Sequence, residues 1–218
     1  MSAENTKTLK VYDQMASKYL SNTIEDNASD PDKAKRKQEE LRKFIKESFS
    51  SLPKGSKVFE IGSADGENAK YLKELGFDVT PSDIADAFIE AIKANGLNPI
   101  RFNAIEEDFL EKYSGVFCWR VFVHFTYDDA KRVIENVYSG LEKDGIFVFN
   151  AMNREVHEKD EEWLDLPGAK SMGIERYYHY FQKETLDALA SDAGFEIKDY
   201  HTEGGKENNK LHVYTLKK

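Results

Sequence analysis

Residues 57–72, KVFEIGSADGENAKYL, join a short apolar run to a helical pattern through a turn that contains two glycines. Gly62, Ala64 and Gly66 stand where a strand would end and a helix would begin. Small residues at such a junction let the backbone turn tightly and let a ligand approach the N-terminus of the helix. The stretch therefore predicts a strand, a ligand-binding loop and a helix.

Downstream of this loop, short apolar runs alternate with helical patterns, which is typical of parallel strands joined by crossover helices. The predicted strands are 58–61, 78–81, 100–103, 116–121 and 145–150, and the predicted helices are 66–75, 86–94, 127–141 and 183–193. Residues 194–218 give two alternating runs around a polar turn with two glycines, which predicts an antiparallel hairpin. The expected fold class is α/β, with a mostly parallel sheet that ends in a reversed strand.

The side chains of the loop disfavour a phosphate-bearing ligand. A dinucleotide fingerprint would have glycine or alanine where Glu67 stands, and a P-loop would end in Gly-Lys-Ser/Thr, which is absent here. Glu60 and Asp65 instead supply two carboxylates. These carboxylates suit a ligand with a positive end, such as a sulfonium or ammonium group.

Two positions after the next strands suit a nucleoside. Asp83 follows the second predicted strand, where a carboxylate can accept hydrogen bonds from both ribose hydroxyls. Asn103 ends the third predicted strand, where its amide can pair with an adenine edge while Ala104 and Ile105 flank the ring. The ligand is therefore expected to be a nucleoside without phosphates.

Residues 55–217 resemble the class I S-adenosylmethionine-dependent methyltransferases. The resemblance rests on VFEIGSADGENAKYL, DVTPSDIADAFIEAI, RFNAIEED, VFCWRVFVHFTYDDAKRVIENVYSGLEKDGIFVF and DAGFEI. It implies a Rossmann-like three-layer sandwich whose seven-stranded, mostly parallel sheet has the order 3-2-1-4-5-7-6 with strand 7 antiparallel. It also implies methyl transfer as the activity and S-adenosyl-L-methionine as the cofactor.

The resemblance further implies a set of cofactor-binding residues. They are Glu60, Gly62, Ser63, Ala64 and Gly66 beside the methionine part, Asp83 and Ile84 at the ribose and adenine, Asn103, Ala104 and Ile105 at the adenine, and Trp119 and Arg120 at the border. Two positions depart from the family pattern, which often has glycine at Ala64 and aspartate at Asn103. Neither departure forbids binding, since Ala64 adds one methyl group and the Asn103 carbonyl can still accept from the exocyclic amine.

The N-terminal region predicts two helices. Val11, Tyr12, Met15, Ala16, Tyr19 and Leu20 recur at helical spacing, and Asp30–Pro31 predicts the start of a second helix. The first helix resembles the short helix that many family members fold over the cofactor, which would bring Tyr12 and Tyr19 near the cofactor carboxylate. Residues 1–54 are thus expected to form a helical lid, and residues 55–218 the S-adenosylmethionine-binding methyltransferase domain.

Catalysis needs alignment of donor and acceptor and, for a hydroxyl or amine acceptor, removal of a proton. His124 is the first candidate base, followed by His179 and Tyr178. Arg120 or a tyrosine of the first helix could instead orient an acidic group of the acceptor. No pair of histidines has the i, i+4 spacing of a helical metal site, so no metal is expected.

Residues 151–182 fit neither the helical nor the strand period, and an irregular segment of this length is typical of a substrate cover. Trp163, Tyr177, Tyr178 and His179 are the candidates to line an acceptor pocket. The aromatic run RYYHYF within this segment also has a plainer interpretation, as a strand that packs in the core.

Composition narrows the possible partners of the 218-residue chain. A net charge of -9 disfavours nucleic acid, and one cysteine, Cys118, cannot form an intramolecular disulfide. The polar first residues and the lack of a long apolar run predict a cytoplasmic protein with no leader and no membrane contact. The favoured function is methylation of a small molecule; the alternatives are a protein or RNA methyltransferase and a cofactor-binding module without catalysis. The sequence predicts no oligomeric state.

Overall fold

The computed structural model describes residues 1–165, 171, 173–204 and 210–218, apart from the side chains of residues 22–28. Within these residues nine strands join in one sheet. The strands are β1 (Lys57–Ile61), β2 (Asp78–Asp83), β3 (Ile100–Arg101), β4 (Tyr113–Cys118), β5 (Leu141–Asn153), β6 (Glu161–Leu164), β7 (Arg176–Phe181), β8 (Glu196–Glu203) and β9 (Leu211–Lys217).

Seven of the strands confirm the predicted topology. Their order is β3-β2-β1-β4-β5-β9-β8; β9 runs antiparallel to both neighbours, and the pairs among β1 to β5 are parallel. The predicted seven-stranded order therefore holds, with β8 and β9 forming the C-terminal hairpin that the alternating pattern indicated. Residues 205–209, between β8 and β9, lie outside the described residues.

The strands β6 and β7 are an addition that the sequence analysis did not predict as a pair. They form an antiparallel hairpin, and β7 also runs parallel to the end of β5 through Met152–Tyr180 and Asn153–Phe181. Within the described residues of segment 151–182, which was predicted to be irregular, the end of β5 and the strands β6 and β7 extend the sheet, and the run RYYHYF is strand β7. Residues 166–170 and 172 of this segment lie outside the described residues.

Six helices accompany the strands in the described part of the chain. They are α1 (Ala3–Ser29), α2 (Pro31–Ser48), α3 (Glu67–Glu74), α4 (Asp86–Ala94), α5 (Tyr127–Gly140) and α6 (Lys183–Ala193). The side chain of Asp30 accepts a hydrogen bond from the backbone N–H of Lys33, and Pro31 occupies the first turn of α2, as predicted. At 27 residues, α1 is far longer than the predicted short helix, because no proline interrupts the chain before Pro31.

The sheet is covered on both faces, which gives the predicted three layers. One face packs against α5 and α6 through side chains such as Val133, Ile134 and Leu186. The other face packs against α2, α3 and α4 through side chains such as Ile45, Leu72 and Ile92. Central strands that are buried on both faces read as nearly continuous apolar runs, as β4 and β5 do. Within the described residues, no helix has the length and apolar character needed to cross a membrane.

Candidate functional site

A cavity of about 270 Å³ opens at the carboxyl edge of the sheet, where β1, β2 and β4 end, and α1 contributes to its wall. In open α/β sheets this edge is where ligands bind. The wall consists of Asn5, Thr8, Leu9, Tyr12, Tyr19, Leu20, Ile61, Gly62, Ser63, Ala64, Asp65, Asn68, Asp83, Ile84, Ala85, Phe88, Phe102, Asn103, Ala104, Ile105, Trp119, Arg120, Val121, His124 and Phe125.

The glycines after β1 let the backbone turn where a side chain would not fit. Gly62 has φ +71°, and a Cβ atom there would lie 2.4 Å from Cγ2 of Val121. Gly66 has φ +82°, and its Cβ would lie 2.6 Å from Cδ1 of Leu97. Ala64 also adopts a left-handed φ, +51°, so the methyl group that replaces a family glycine is held in a conformation that glycine prefers.

Asp83 ties the glycine loop to the end of β2. Its Oδ2 accepts from the backbone N–H of Ala64 at 3.1 Å, and its Oδ1 accepts from that of Ala85 at 3.0 Å. The carboxylate is buried, and this burial raises the pKa of Asp83 to about 6 even though the N–H donors favour the charged form. A buried carboxylate in the wall of a cavity is a strong acceptor for ligand hydroxyl groups.

Glu60, the last acid of β1, is almost fully buried and does not line the cavity. Burial raises the pKa of Glu60 to about 7, although the side chains of Ser63 and Asn68 favour its charged form. Its Oε2 atom has no hydrogen-bond partner within the described part of the chain. An unpartnered buried carboxylate oxygen is costly in the ligand-free protein and marks a place where a positive group would be favourable.

Asn103 is held by its own loop rather than left free in the cavity wall. Its Oδ1 accepts from the N–H of Ile105 at 3.1 Å, and its Nδ2 donates to Oε2 of Glu106 at 2.9 Å. Ala104 and Ile105 lie beside it in the wall, and both are buried. This end of the cavity is a small, mostly apolar slot with one amide group.

His124 follows β4 in a short 3₁₀ turn and connects three segments of the chain. Its Nδ1 lies 2.7 Å from the carbonyl oxygen of Tyr177, so this nitrogen carries the proton and donates it. Its Nε2 therefore accepts from the hydroxyl of Tyr12, 2.8 Å away, and Nη1 of Arg176 donates to that hydroxyl at 3.4 Å. Burial lowers the pKa of His124 to about 4, so the ring is neutral at pH 7 with both nitrogens engaged.

Aromatic contacts hold α1 in place at the cavity wall. Tyr12 and Tyr19 pack edge to face at 5.7 Å between ring centroids, and both contact the ring of Phe88 in α4. The hydroxyl of Thr8 accepts from the backbone N–H of Tyr177 at 3.0 Å. The helix is thus attached to α4, to the turn after β4 and to β7.

Trp119 and Arg120 directly follow the end of β4 and line the cavity. The indole of Trp119 stacks on Phe117 with a centroid distance of 5.6 Å. Arg120 has φ +61°, a left-handed value uncommon for this residue type. Its backbone N–H donates to Oδ1 of Asn150 at 2.6 Å, and its side chain is exposed at the cavity.

The cavity brings together most of the residues that the sequence analysis singled out. Of the predicted cofactor residues, all except Glu60 and Gly66 line it. Of the three candidate bases, His124 lines it and Tyr178 and His179 do not. Tyr178 packs against the His124 ring, and Nδ1 of His179 lies 3.0 Å from the hydroxyl of Tyr177.

The predicted acceptor-pocket residues lie elsewhere. Trp163 and Tyr177 do not line the cavity; Tyr177 is buried in the core, and the ammonium of Lys7 lies over the Trp163 ring at 3.9 Å. Strand β7 instead contacts α1 through the backbone N–H of Tyr177, which donates to Thr8. The tyrosines and the phenylalanine of β7 are buried.

Sequence reasoning missed several residues of the wall. They include Asn5, Thr8, Leu9, Asn68, Ala85, Phe88, Phe102, Val121 and Phe125. Asn5 and Thr8 share one helical face with Tyr12, at i, i+3 and i+7, so the stripe that predicted the first helix could have been extended to them. Asn68 carried no such signal.

Comparisons with known proteins place the chain in a family. A family model described as "Methyltransferase domain" matches residues 34–200, from within α2 to within β8. The search of curated proteins finds no match.

Solved structures share the fold at low sequence identity. A SAM-dependent methyltransferase from Methanosarcina mazei is 17% identical with a TM-score of 0.67, covering 78% of this chain and 95% of its own. An S-adenosylmethionine-dependent methyltransferase from Clostridium acetobutylicum is 13% identical with a TM-score of 0.67, covering 89% and 98%. Magnesium protoporphyrin IX methyltransferase from Synechocystis, solved with bound SAM, is 12% identical with a TM-score of 0.63, covering 84% and 78%.

Proposed function

Because the chain belongs to the class I S-adenosylmethionine-dependent methyltransferases, we propose that it methylates a small-molecule acceptor in the cavity at the carboxyl edge of its sheet. The observation that supports a small acceptor is the position of α1, which contributes Asn5, Thr8, Tyr12 and Tyr19 to the cavity wall. A protein or RNA segment could enter only if this helix moved away. The net charge of -9 further disfavours RNA.

The residues of the wall fit the cofactor. The bend at Gly62 leaves no side chain between the backbone and the cavity, and Asp83 offers a buried carboxylate to ribose hydroxyls. The slot of Asn103, Ala104 and Ile105 suits an adenine ring. Glu60 lies outside the wall, and within the described residues its unpartnered Oε2 would favour a positive charge at the methionine end. Residues 55–218 would hold the cofactor, and α1, within residues 1–54, would cover it.

When bound, S-adenosylmethionine supplies a methyl group that is already activated by its sulfonium. The protein then has to align the acceptor with that group and exclude water, which are effects of position rather than of covalent chemistry. Tyr12, Tyr19 and Phe88 would exclude water, because they pack against one another over the cavity. His124 would fix the position of Tyr12 through its Nε2 atom.

The role of a base is harder to fill. His124 is neutral, its pKa is lowered to about 4 by burial, and its Nε2 is engaged by Tyr12. It could accept an acceptor proton only after Tyr12 turned away, and a base acts best when its pKa is near the working pH. Tyr178 and His179 would need a larger rearrangement, since neither lines the cavity. We therefore favour an acceptor that arrives as a ready nucleophile.

Two measurements test the function. Calorimetric titration with S-adenosylhomocysteine should give an affinity in the micromolar range, about -8 kcal/mol, and turnover of labelled S-adenosylmethionine should be found with fractions of small metabolites. Turnover with protein or RNA fractions alone would favour the macromolecular alternatives. Binding without turnover on any fraction would favour a module without catalysis, and absence of binding by folded protein would refute the proposal.

A further inference from the structure

Arg120 is held in an unusual backbone conformation at the cavity. Its φ of +61° costs an L-residue on the order of 1 to 2 kcal/mol, and a buried side chain, Asn150, fixes the conformation by accepting its backbone N–H at 2.6 Å. Residues with such φ values cluster at ligand sites, where the surrounding structure enforces them. The strain here aims the residue that leaves β4 into the cavity wall.

The side chain of Arg120 ends in a guanidinium group at the cavity. It makes no hydrogen bond, ion pair or ring contact with any other described residue. Arg36 and Arg132 are likewise exposed without a partner among the described residues, whereas Arg101 pairs with Asp86 and Arg154 with Asp160. Unlike Arg36 and Arg132, Arg120 lines the cavity. A strained residue that presents an unpaired cation to a cavity suits an anionic group of a ligand.

The charges around the cavity are distributed unevenly. The carboxylates Asp65 and Asp83 belong to the β1 and β2 side, and Arg120 belongs to the β4 side. Charges on both sides act on the hydroxyl of Tyr19, whose pKa is raised mainly by burial. The two aspartates raise this pKa further, whereas Arg120 and Arg176 lower it. An anionic group near Tyr19 would therefore be within electrostatic reach of two arginines and also of two carboxylates, so close contact with a guanidinium would be needed to hold it.

We propose that the Arg120 guanidinium is the anion-binding group of this cavity and holds a carboxylate or phosphate of a bound ligand. Two sources carry such a group, the amino-acid end of the cofactor and an acidic group on the acceptor. The proposal rests on the proposed function and adds the residue that recognises the anion. Asn150 is a positioning residue, since it acts by holding the backbone of Arg120.

The first experiment titrates two ligands into the wild-type protein and into Arg120→Gln, Arg120→Lys and Asn150→Ala. The ligands are S-adenosylhomocysteine and 5′-methylthioadenosine, which lacks the amino-acid part. If Arg120 holds the cofactor carboxylate, Arg120→Gln weakens S-adenosylhomocysteine about tenfold or more and leaves methylthioadenosine unchanged. Arg120→Lys should restore part of the affinity, and Asn150→Ala should show the same selective loss.

The second experiment tests the acceptor as the source of the anion. The complex with S-adenosylhomocysteine is titrated with benzoate against benzamide and with phenyl phosphate against phenol. If Arg120 holds an acceptor anion, the wild-type complex prefers a charged member about tenfold or more, and Arg120→Gln abolishes that preference without changing the affinity for the cofactor product. Arg101→Gln, which removes a paired surface arginine, should behave as the wild type in both experiments.

A third variant separates function from fold. Arg120→Gly relieves the left-handed strain, so the unfolding midpoint of the ligand-free protein should rise by about 2 to 4 °C while anion selectivity is lost. The proposal is overturned if Arg120→Gln changes neither the affinity for S-adenosylhomocysteine nor a preference for anions, or if the wild type shows no such preference in either experiment. The proposed function fails separately, if wild-type protein does not bind S-adenosylhomocysteine at all.

Discussion

The hydroxyl of Tyr12 donates a hydrogen bond to Nε2 of His124 across 2.8 Å, and this bond joins α1 to the turn that follows β4. The two residues are 112 positions apart in sequence. Because the opposite ring nitrogen of His124 is fixed by the Tyr177 carbonyl, the imidazole has one orientation and one tautomer to offer. Nδ2 of Asn5 also donates to the carbonyl oxygen of His124 at 3.2 Å, so two hydrogen bonds join α1 to this turn, and the one from Tyr12 engages the imidazole.

Tyr12→Phe should therefore loosen α1 without altering the sheet. The substitution leaves a buried acceptor on His124 without its donor, which costs about 1 to 3 kcal/mol. Hydrogen exchange of residues 3–21 should become faster, while exchange in β4 and β5 stays unchanged. Tyr127→Phe, which removes a hydroxyl from an exposed tyrosine, is the matched control. Equal exchange in both variants would mean that the hydrogen bond does not hold the helix.

Gly62→Ala tests how closely the loop approaches Val121. The new Cβ would lie 2.4 Å from Cγ2 of Val121, at a φ of +71°. The free energy of unfolding should therefore fall by about 1 to 2 kcal/mol through backbone strain and by about 1 to 3 kcal/mol more through overpacking. Gly55→Ala has a similar φ, +81°, with no atom near its Cβ, and should cost only the strain. Urea unfolding measures both variants. Equal losses of stability would show that Val121 moves aside without penalty.

Asp83 should give S-adenosylhomocysteine binding a dependence on pH. The pKa of Asp83 is raised to about 6 by burial, and only the ionised carboxylate accepts freely from ribose hydroxyls. Affinity should therefore fall as the pH is lowered from 7 to 5, because binding then competes with a proton. Asp83→Asn should weaken binding by about 1.5 to 3 kcal/mol and remove this limb of the profile.

Asp86→Asn is the control for that experiment, because Asp86 is an exposed carboxylate in the first turn of α4. It should keep both the affinity and the pH profile of the wild type. A profile that is unchanged in Asp83→Asn would place the ribose elsewhere.

The core of the fold could be predicted because its signals are local. The bend at Gly62 and Gly66 depends on backbone freedom, and the runs in β4 and β5 are apolar on both faces, so short windows of sequence reveal them. The hairpin of β6 and β7 was missed because its register depends on pairing with the end of β5, a contact between distant residues. Trp163 of this hairpin is half-buried and Tyr177 and Tyr178 are buried, and their role in an acceptor pocket stays a prediction.

The residues of the cavity wall could be predicted where they directly follow a strand, and were harder to predict where they belong to α1. Asp83 and Asn103 stand in the wall because the carboxyl ends of parallel strands meet at one edge. The contribution of Asn5 and Thr8 depends on how α1 lies over that edge, which no periodicity fixes. The left-handed backbone of Arg120 also had no signal, since arginine seldom adopts it.

Ionisation of Glu60 should lower the stability of the ligand-free protein, whereas the same charge should favour binding of the cofactor. Its pKa in the folded protein is about 7 because burial penalises the charge, whereas an unfolded glutamate titrates near 4.5. Between these values the unfolded chain has released its proton and the folded chain has not. The protein therefore loses up to about 3 kcal/mol of stability as the pH rises from about 4.5 to about 7, and little more above that. Glu60→Gln cannot ionise, so its gain in unfolding free energy over the wild type should grow from pH 5 to pH 8.

Urea unfolding of ligand-free protein at the two pH values measures that gain, and Glu67→Gln, at an exposed position in the first turn of α3, should show almost no change with pH. Asp65 and Asp83 contribute to the raised pKa of Glu60, so Asp83→Asn should reduce the effect.

If the carboxylate of Glu60 binds the positive end of the cofactor, Glu60→Gln should also bind S-adenosylhomocysteine more weakly, although it unfolds less readily. A variant that gains stability equally at pH 5 and pH 8 would show that Glu60 is already ionised in the folded state, and one that keeps full affinity would remove it from the site.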